Sequence, residues 1–161
     1  MRIVLCAVGR LKDAECTLFD RYWQRIEAGG RGVGLSPVRA IELPESREAT
    51  AVQRQAAEAR RLLSAAEAEA DTTIVALDER GKAMTSAAFT DMIRRQRDDG
   101  CREMAFLLGG PDGHGPVVAQ AARITLSLGP MTLPHGLARV VLAEQLYRCV
   151  TILAGHPYHR V

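Results

Sequence analysis

The sequence predicts an α/β fold: one domain over residues 1–161, a mainly parallel sheet flanked by helices. Three observations carry this. Short apolar runs, each closed by a glycine or a turn, recur along the whole chain. Longer stretches between them repeat their apolar residues at helical spacing. The two kinds alternate to the end, the pattern of βαβ units rather than of separate strand-rich and helix-rich parts.

The first run, Met1 to Val8, is apolar without alternation and ends at Gly9, as expected of a strand buried on both faces. A turn over Gly9 to Asp13 leads to a helix whose core face is Leu18, Phe19, Tyr22, Trp23 and Ile26. The run Gly29 to Gly34 reads as a mobile connection, since its glycines lack the order G-x-G-x-x-G. Arg31 and Arg39 beside it are candidate contacts for RNA phosphates, a solvated loop being the plainer reading. Val38 to Leu43 is the second strand, stopped by Pro44. A helix from about 49 to 68 follows, with a thin apolar stripe of Val52, Ala56, Ala59, Leu63 and Ala66 and a face of alternating charge assigned to solvent. The third strand is Thr72 to Leu77 and the fourth Met104 to Leu108. The helix between them starts at Thr85 or Ser86, buries Phe89, Met92 and Ile93, and ends at Gly100. A short helix over Val117 to Ala122 precedes the fifth strand, Ile124 to Leu128.

The stretch Ser127 to Arg148 has two halves. Gly129, Pro130 and Pro134 keep the first irregular. The second, about 136–149, is a helix whose Glu144, Gln145 and Arg148 form one narrow polar stripe, with Arg139 nearly opposite. So narrow a polar face implies cover on most sides, some of which a second copy of the chain could supply.

Composition narrows the function. Aromatic residues make up 4%, too few for broad base-stacking platforms, and the net charge of +2 permits a nucleic-acid partner without demanding one. Cys6, Cys16, Cys101 and Cys149 stand singly, with no metal-ligand spacing, and read as buried thiols of a reducing cytosol. No metal is expected. No secretory signal and no membrane-spanning run is recognisable, so a cytoplasmic location is expected.

In open parallel sheets, ligands bind beyond the carboxyl ends of strands. Three such ends carry unusual loops: Leu77 to Lys82, Gly109 to Gly115, and Leu128 to Pro134. Their glycines permit close backbone approach, and Leu77, Leu128, Met131 and Leu133 could sandwich a flat ring. Neither a Walker A lysine nor a dinucleotide fingerprint accompanies them, and no G-x-S-x-G nucleophile is present. A part-apolar, adenine-containing ligand without phosphates fits best, and S-adenosylmethionine is such a ligand. The tail, Gly155 to Val161, gathers His156, Tyr158, His159 and Arg160. Imidazoles exchange protons near neutral pH, and guanidinium grips phosphate or a developing anion.

These segments together resemble the small SPOUT-superfamily methyltransferases that act on N3 of a pseudouridine in 23S ribosomal RNA. The resemblance rests on Leu77 to Lys82, Leu107 to Gly113, Met131 to His135, Arg139-Val140, Ala143 to Arg148 and Tyr158 to Arg160, with Gly9 to Lys12 fitting the family's first turn. It implies a deep C-terminal trefoil knot, which the residues alone do not suggest, a homodimer, and S-adenosylmethionine in the knot. It carries the cofactor contacts to Leu77, Gly109, Leu128, Gly129, Pro130, Met131, Thr132 and Leu133. The Gly29 to Gly34 loop is richer in glycine than the family pattern, and Val161 extends past its usual basic end.

The candidate catalytic residues are His159, Tyr158, Arg160 and Arg148. His159 is the first choice for removing the imide proton of the base. Tyr158 would stack on or position that base, and the arginines would stabilise its anion or hold phosphate. The low net charge suits the assembled ribosome as substrate better than naked RNA. Three rival readings are a dimeric cofactor-binding module without turnover, a methyltransferase of another RNA, and a nucleotide-binding regulator.

Overall fold

In the computed structural model, residues 1–67 and 71–158 are described. Five parallel strands form one sheet in the order β2-β1-β4-β3-β5: β1 Arg2–Val8, β2 Val38–Leu43, β3 Thr72–Ala83, β4 Glu103–Leu108 and β5 Ile124–Ser127. Five α-helices join them: α1 Asp13–Gly30, α2 Ala51–Ala65, α3 Ser86–Asp98, α4 Gly115–Ala121 and α5 His135–Leu153. The unbroken apolar runs fall where expected. β4 and β1 are interior strands, and all of Ile3 to Val8 and of β4 is buried. Edge strand β2 instead alternates between half-buried and exposed residues.

Helices cover both faces. Phe19, Trp23 and Ile26 of α1, Phe89 and Ile93 of α3, and Leu142, Leu146 and Val150 of α5 build the larger core against Leu5, Met104 and Phe106. The smaller core, on the other face, packs Ala59, Leu62 and Ala66 of α2 and its end, and Val118 of α4, on Val4, Cys6 and Leu107. Helix starts follow capping chemistry. The Thr50 hydroxyl accepts the Gln53 N–H while the Gln53 side chain reaches back to Thr50 N–H, and Thr85 accepts from Ala88 N–H at 3.2 Å.

Four expectations need correcting. The Gly29 to Gly34 run is a packed corner rather than a mobile link: Gly29 and Gly30 close α1, and residues 31–33 form a 3-10 turn. A Cβ on Gly30 would overlap the Leu35 carbonyl, so glycine here allows two backbones to touch. The N-terminal ammonium donates to Gly34 O at 2.9 Å and Arg97 to Val33 O at 2.7 Å. Arg39 lies at the amino-terminal edge of the sheet, where it pairs with Glu67 and Glu103. The stripe of α2 is rotated from the one expected: Val52 is exposed, whereas Ala57, Ala59, Leu62 and the charged Glu58 are buried. Of the four thiols, Cys6 and Cys149 are buried and Cys16 and Cys101 are half-exposed. Burial pushes the Cys6 and Cys149 thiols up to about 12, so both stay protonated and unreactive at neutral pH.

The fourth correction concerns β3, which does not end at Leu77. Leu126 of β5 pairs with Leu77 and again with Lys82, so residues 78–81 bulge out of a strand that then continues to Ala83. A Cβ on Gly81 would lie 2.7 Å from the Thr125 carbonyl carbon, and only glycine lets the strand rejoin β5 so closely.

Candidate functional site

The three turns singled out in the sequence meet at the carboxyl edge of the sheet around one cavity of about 450 Å³. The β3 bulge supplies Leu77 to Arg80, the β4–α4 turn supplies Leu108 to His114, and the β5–α5 segment supplies the opposite wall. Of the eight residues expected to hold a cofactor, Leu77, Gly109, Leu128, Gly129, Met131, Thr132 and Leu133 line this cavity, and Pro130 does not. Each wall is held from behind. The Ser127 hydroxyl accepts Gly129 N–H at 3.1 Å and donates to Gly129 O at 2.9 Å, fixing the irregular backbone after β5. Across the mouth, Thr132 donates to Glu79 at 3.1 Å and joins two of the lips.

Helix α2 braces the third wall, the turn of residues 109–113. Arg54 grips the Asp112 carboxylate through two nitrogens, at 2.7 and 3.2 Å, and Gln55 donates to Asp112 O at 2.5 Å. The Glu58 carboxylate accepts Ser46 N–H at 2.8 Å, and its other oxygen is buried without a partner beside Gly110. The hydrogen bond from Arg54 holds Asp112 below the usual carboxylate range, and Arg80 does the same for Asp78, so both are ionised at neutral pH. The mouth thus carries three carboxylates, of which Asp78 is paired with Arg80 and Asp112 with Arg54, leaving Glu79 without a guanidinium partner among the described residues.

Sequence reasoning missed two buried polar residues at this site, Glu58 and His114. His114 is 7% exposed and lines the cavity, with Nε2 3.0 Å from Leu77 O. Its sequence signal, one histidine inside a glycine-rich turn, is indistinguishable from loop polarity until β3 is brought alongside.

The expected catalytic residues lie elsewhere. Arg148 donates to Glu144 at 2.6 and 3.0 Å and sits over the Tyr158 ring, 5.2 Å from its centroid. Tyr158 reaches Glu144 with its hydroxyl at 3.4 Å and packs on Tyr147. Burial and the Glu144 carboxylate raise the Tyr158 pKa, so the phenol stays neutral. Neither Arg148 nor Tyr158 lines the cavity. Ala138 does, and ten residues of helix separate it from Arg148, about 15 Å along the axis. Along that path lies a second hollow, of about 330 Å³, whose Gln145 accepts from Ser86 and donates to Glu144. His159 and Arg160 fall outside the described residues.

A family model described as a predicted SPOUT methyltransferase matches residues 1–159. The chain belongs to the SPOUT methyltransferase family. Curated SPOUT relatives agree over their full length. Ribosomal RNA large subunit methyltransferase H of Brucella anthropi is 49% identical, with 99% of each chain covered. The protein of that name from Brucella ovis is 45% identical, again over 99% of each chain. The crystal structure of the SpoU methyltransferase AviRb from Streptomyces viridochromogenes, in complex with the cofactor AdoMet, is a looser likeness. It has 11% identity and a TM-score of 0.39, over 92% of this chain and 57% of that one, too distant to bear on the site. No helix among the described residues is long and apolar enough to cross a membrane.

Proposed function

We propose that this chain is an S-adenosylmethionine-dependent methyltransferase that methylates N3 of a pseudouridine in 23S ribosomal RNA. It would act in the cytoplasm on the assembled ribosome, as a homodimer, with the trefoil knot that membership of the family implies. The observation that carries this reading is the meeting of three turns, distant in sequence, around one cavity. The relatives' shared name, Ribosomal RNA large subunit methyltransferase H, supplies the substrate class.

The cavity fits the donor on three counts. Its size is within the ordinary range for a small-molecule site. A Cβ added to Gly129 would meet no atom within 4 Å, so the missing side chain leaves room that a ligand can fill. With Asp78 paired to Arg80 and Asp112 to Arg54, Glu79 is the one carboxylate at the mouth without a guanidinium partner among the described residues, and it favours the ammonium of the donor. Leu77, Gly109 and the run Leu128 to Leu133 would hold the donor, Pro130 by shaping the run. Bound there, S-adenosylmethionine would supply an electrophilic methyl group.

On the acceptor side the chain must place the base, accept its imide proton and stabilise the charge that develops. Arg148 and Tyr158 are suited to the last and first of these, and His159 and Arg160 remain the proposed base and phosphate contact. Since Arg148 stands about 15 Å along α5 from Ala138 at the cavity, with Tyr158 packed beneath it, the tail of one protomer would complete the site of the other.

The deciding experiment supplies ribosomes lacking the modification with methyl-labelled donor. Label in 23S RNA at pseudouridine N3 supports the reading, and free 23S RNA should be a far poorer substrate. Donor binding without transfer to any ribosome would leave the binding-module reading standing. Transfer to a different RNA would replace the substrate.

A further inference from the structure

We propose that His114 is a positioning residue for the donor: its imidazole ties the Leu77 carbonyl to the β4–α4 turn and so sets the spacing of two cavity walls. This rests on reading the cavity as the donor site, and it adds a residue that neither the family resemblance nor the glycine pattern indicates.

The sheet ladder explains the need. The last pair between β3 and β4 is Ala76 with Leu107, and past it the two strands part to form the cavity. Leu77 is the first β3 residue without a β4 partner. Leu77 is half-buried, and a carbonyl left there without a donor would forfeit a hydrogen bond. His114 stands in for the missing rung, with Nε2 3.0 Å from Leu77 O. A carbonyl oxygen only accepts, so Nε2 carries the proton. His114 opens α4 without capping it, its side chain being committed across the gap.

The ring state is fixed by its surroundings. Burial lowers its pKa, opposed by the Leu77 carbonyl, the Asp78 carboxylate and the nearby Leu107 carbonyl. The neutral ring therefore has an Nε2–H tautomer and a bare Nδ1, and that Nδ1 is buried with no hydrogen-bond partner. A group held neutral, in one tautomer and away from solvent is well placed to fix geometry. A flat ring bound against Leu77 and Gly109 requires those two residues at one separation, and His114 bridges the elements that carry them.

The test is calorimetric titration of S-adenosylhomocysteine into the native chain, H114L and H114Q. Leucine fills similar space without a donor, and glutamine offers an N–H at the reach of Nε2. We expect affinity about tenfold weaker for H114L, the loss of one preorganising hydrogen bond, and within about threefold of native for H114Q. With ribosomes, KM for the donor should rise more than kcat falls. In the ligand-free chain, imidazole nitrogen shifts should report a protonated Nε2 and an unprotonated Nδ1. Should H114L not fold, H114M takes its place. Native affinity in H114L, no recovery in H114Q, or the opposite tautomer overturns the inference. Failure of the native chain to bind S-adenosylhomocysteine would instead sink the donor site itself, and this inference with it.

Discussion

The two halves of α5 each carry one prominent arginine, and the two are held in opposite ways. Arg139 is 3% exposed, spans to Glu42 at 3.0 Å, and donates to Val8 O and to Gly9 O, so it locks the first half of the helix onto the ends of β1 and β2. Burial lowers its pKa, while Glu42 and Glu15 oppose the shift. Arg148 pairs within its own helix, lies over one ring and keeps about a quarter of its side chain exposed. An arginine with every reachable carbonyl occupied serves the fold. One held by a single neighbouring carboxylate, at the helix surface, is free to serve a ligand. The proposed donor side would thus be finished within one chain, and the proposed acceptor side would not.

The largest expected effect tests the second half. R148A should lower methyl transfer to ribosomes by about a hundredfold, as removal of a charge-stabilising donor does. It should leave S-adenosylhomocysteine affinity within about twofold and cost less than about 1 kcal/mol of stability, since the Arg148–Glu144 pair is a partly exposed pair within one helix. A parallel loss of cofactor affinity would place Arg148 with the donor and erase the contrast. If the tail works across the dimer, mixing R148A with a chain defective only in the cavity should restore activity.

The first half should respond the other way. R139M removes a buried charge, takes the guanidinium away from Val8 O and Gly9 O, and leaves Glu42 with only the Leu11 N–H. Such losses cost on the order of 3 kcal/mol, read as a lowered urea midpoint with unchanged slope. A stable R139M that has lost activity would mean that the two arginines have been assigned in reverse.

Between these in kind is the wall itself. G81A would push a Cβ against the backbone of Thr125 and Leu126, atoms that cannot step aside. Overpacking of this sort costs about 1–3 kcal/mol, and the donor affinity should fall with it because the bulge at residues 78–81 forms the lip. A G81A chain with native melting and native affinity would show that β3 rejoins β5 with slack.

What the sequence disclosed, and what it hid, follows the range of the interactions. β1 and β4 were legible because an unbroken apolar run of five or six residues, Met104 to Leu108 or Ile3 to Val8, has few other uses. The cavity was legible in outline because its walls are backbone turns written in glycine and proline. The continuation of β3 past Leu77 was not, since Asp78 to Lys82 is as polar as any loop and only the approach of Thr125 makes it a strand. The rotated stripe of α2 has the same origin: Arg54 and Gln55 turn inward to hold Asp112, which lies some fifty residues on, and Glu58 is buried beside Gly110. The corner at Gly29 to Gly34 was misread because glycine marks both freedom and crowding, and Leu35 decides which. The role proposed for Arg148 and Tyr158 is hidden differently, because their place on α5 and just past its end is visible, whereas the proposal that they complete a partner's site turns on a surface that a single chain does not contain.

The smallest expected effect concerns the brace behind the cavity and has a definite sign in pH. Arg54 lowers the Asp112 pKa below its unfolded value. The native state therefore favours the ionised form, and the pair contributes its full stabilisation above the ordinary aspartate pKa, ~4. That contribution falls away as acid takes the pH below ~4 and through the lowered native value. D112N removes the charge at every pH. Its urea midpoint should lie below that of the native chain at pH 7, and the gap should narrow as the pH falls below ~4. Because Arg54 and Gln55 also hold the backbone of the turn, S-adenosylhomocysteine affinity should drop slightly at pH 7, less than for G81A. A gap that widens on acidification would mean that Asp112 is raised rather than lowered in the folded chain, and that α2 strains the turn it is here taken to support.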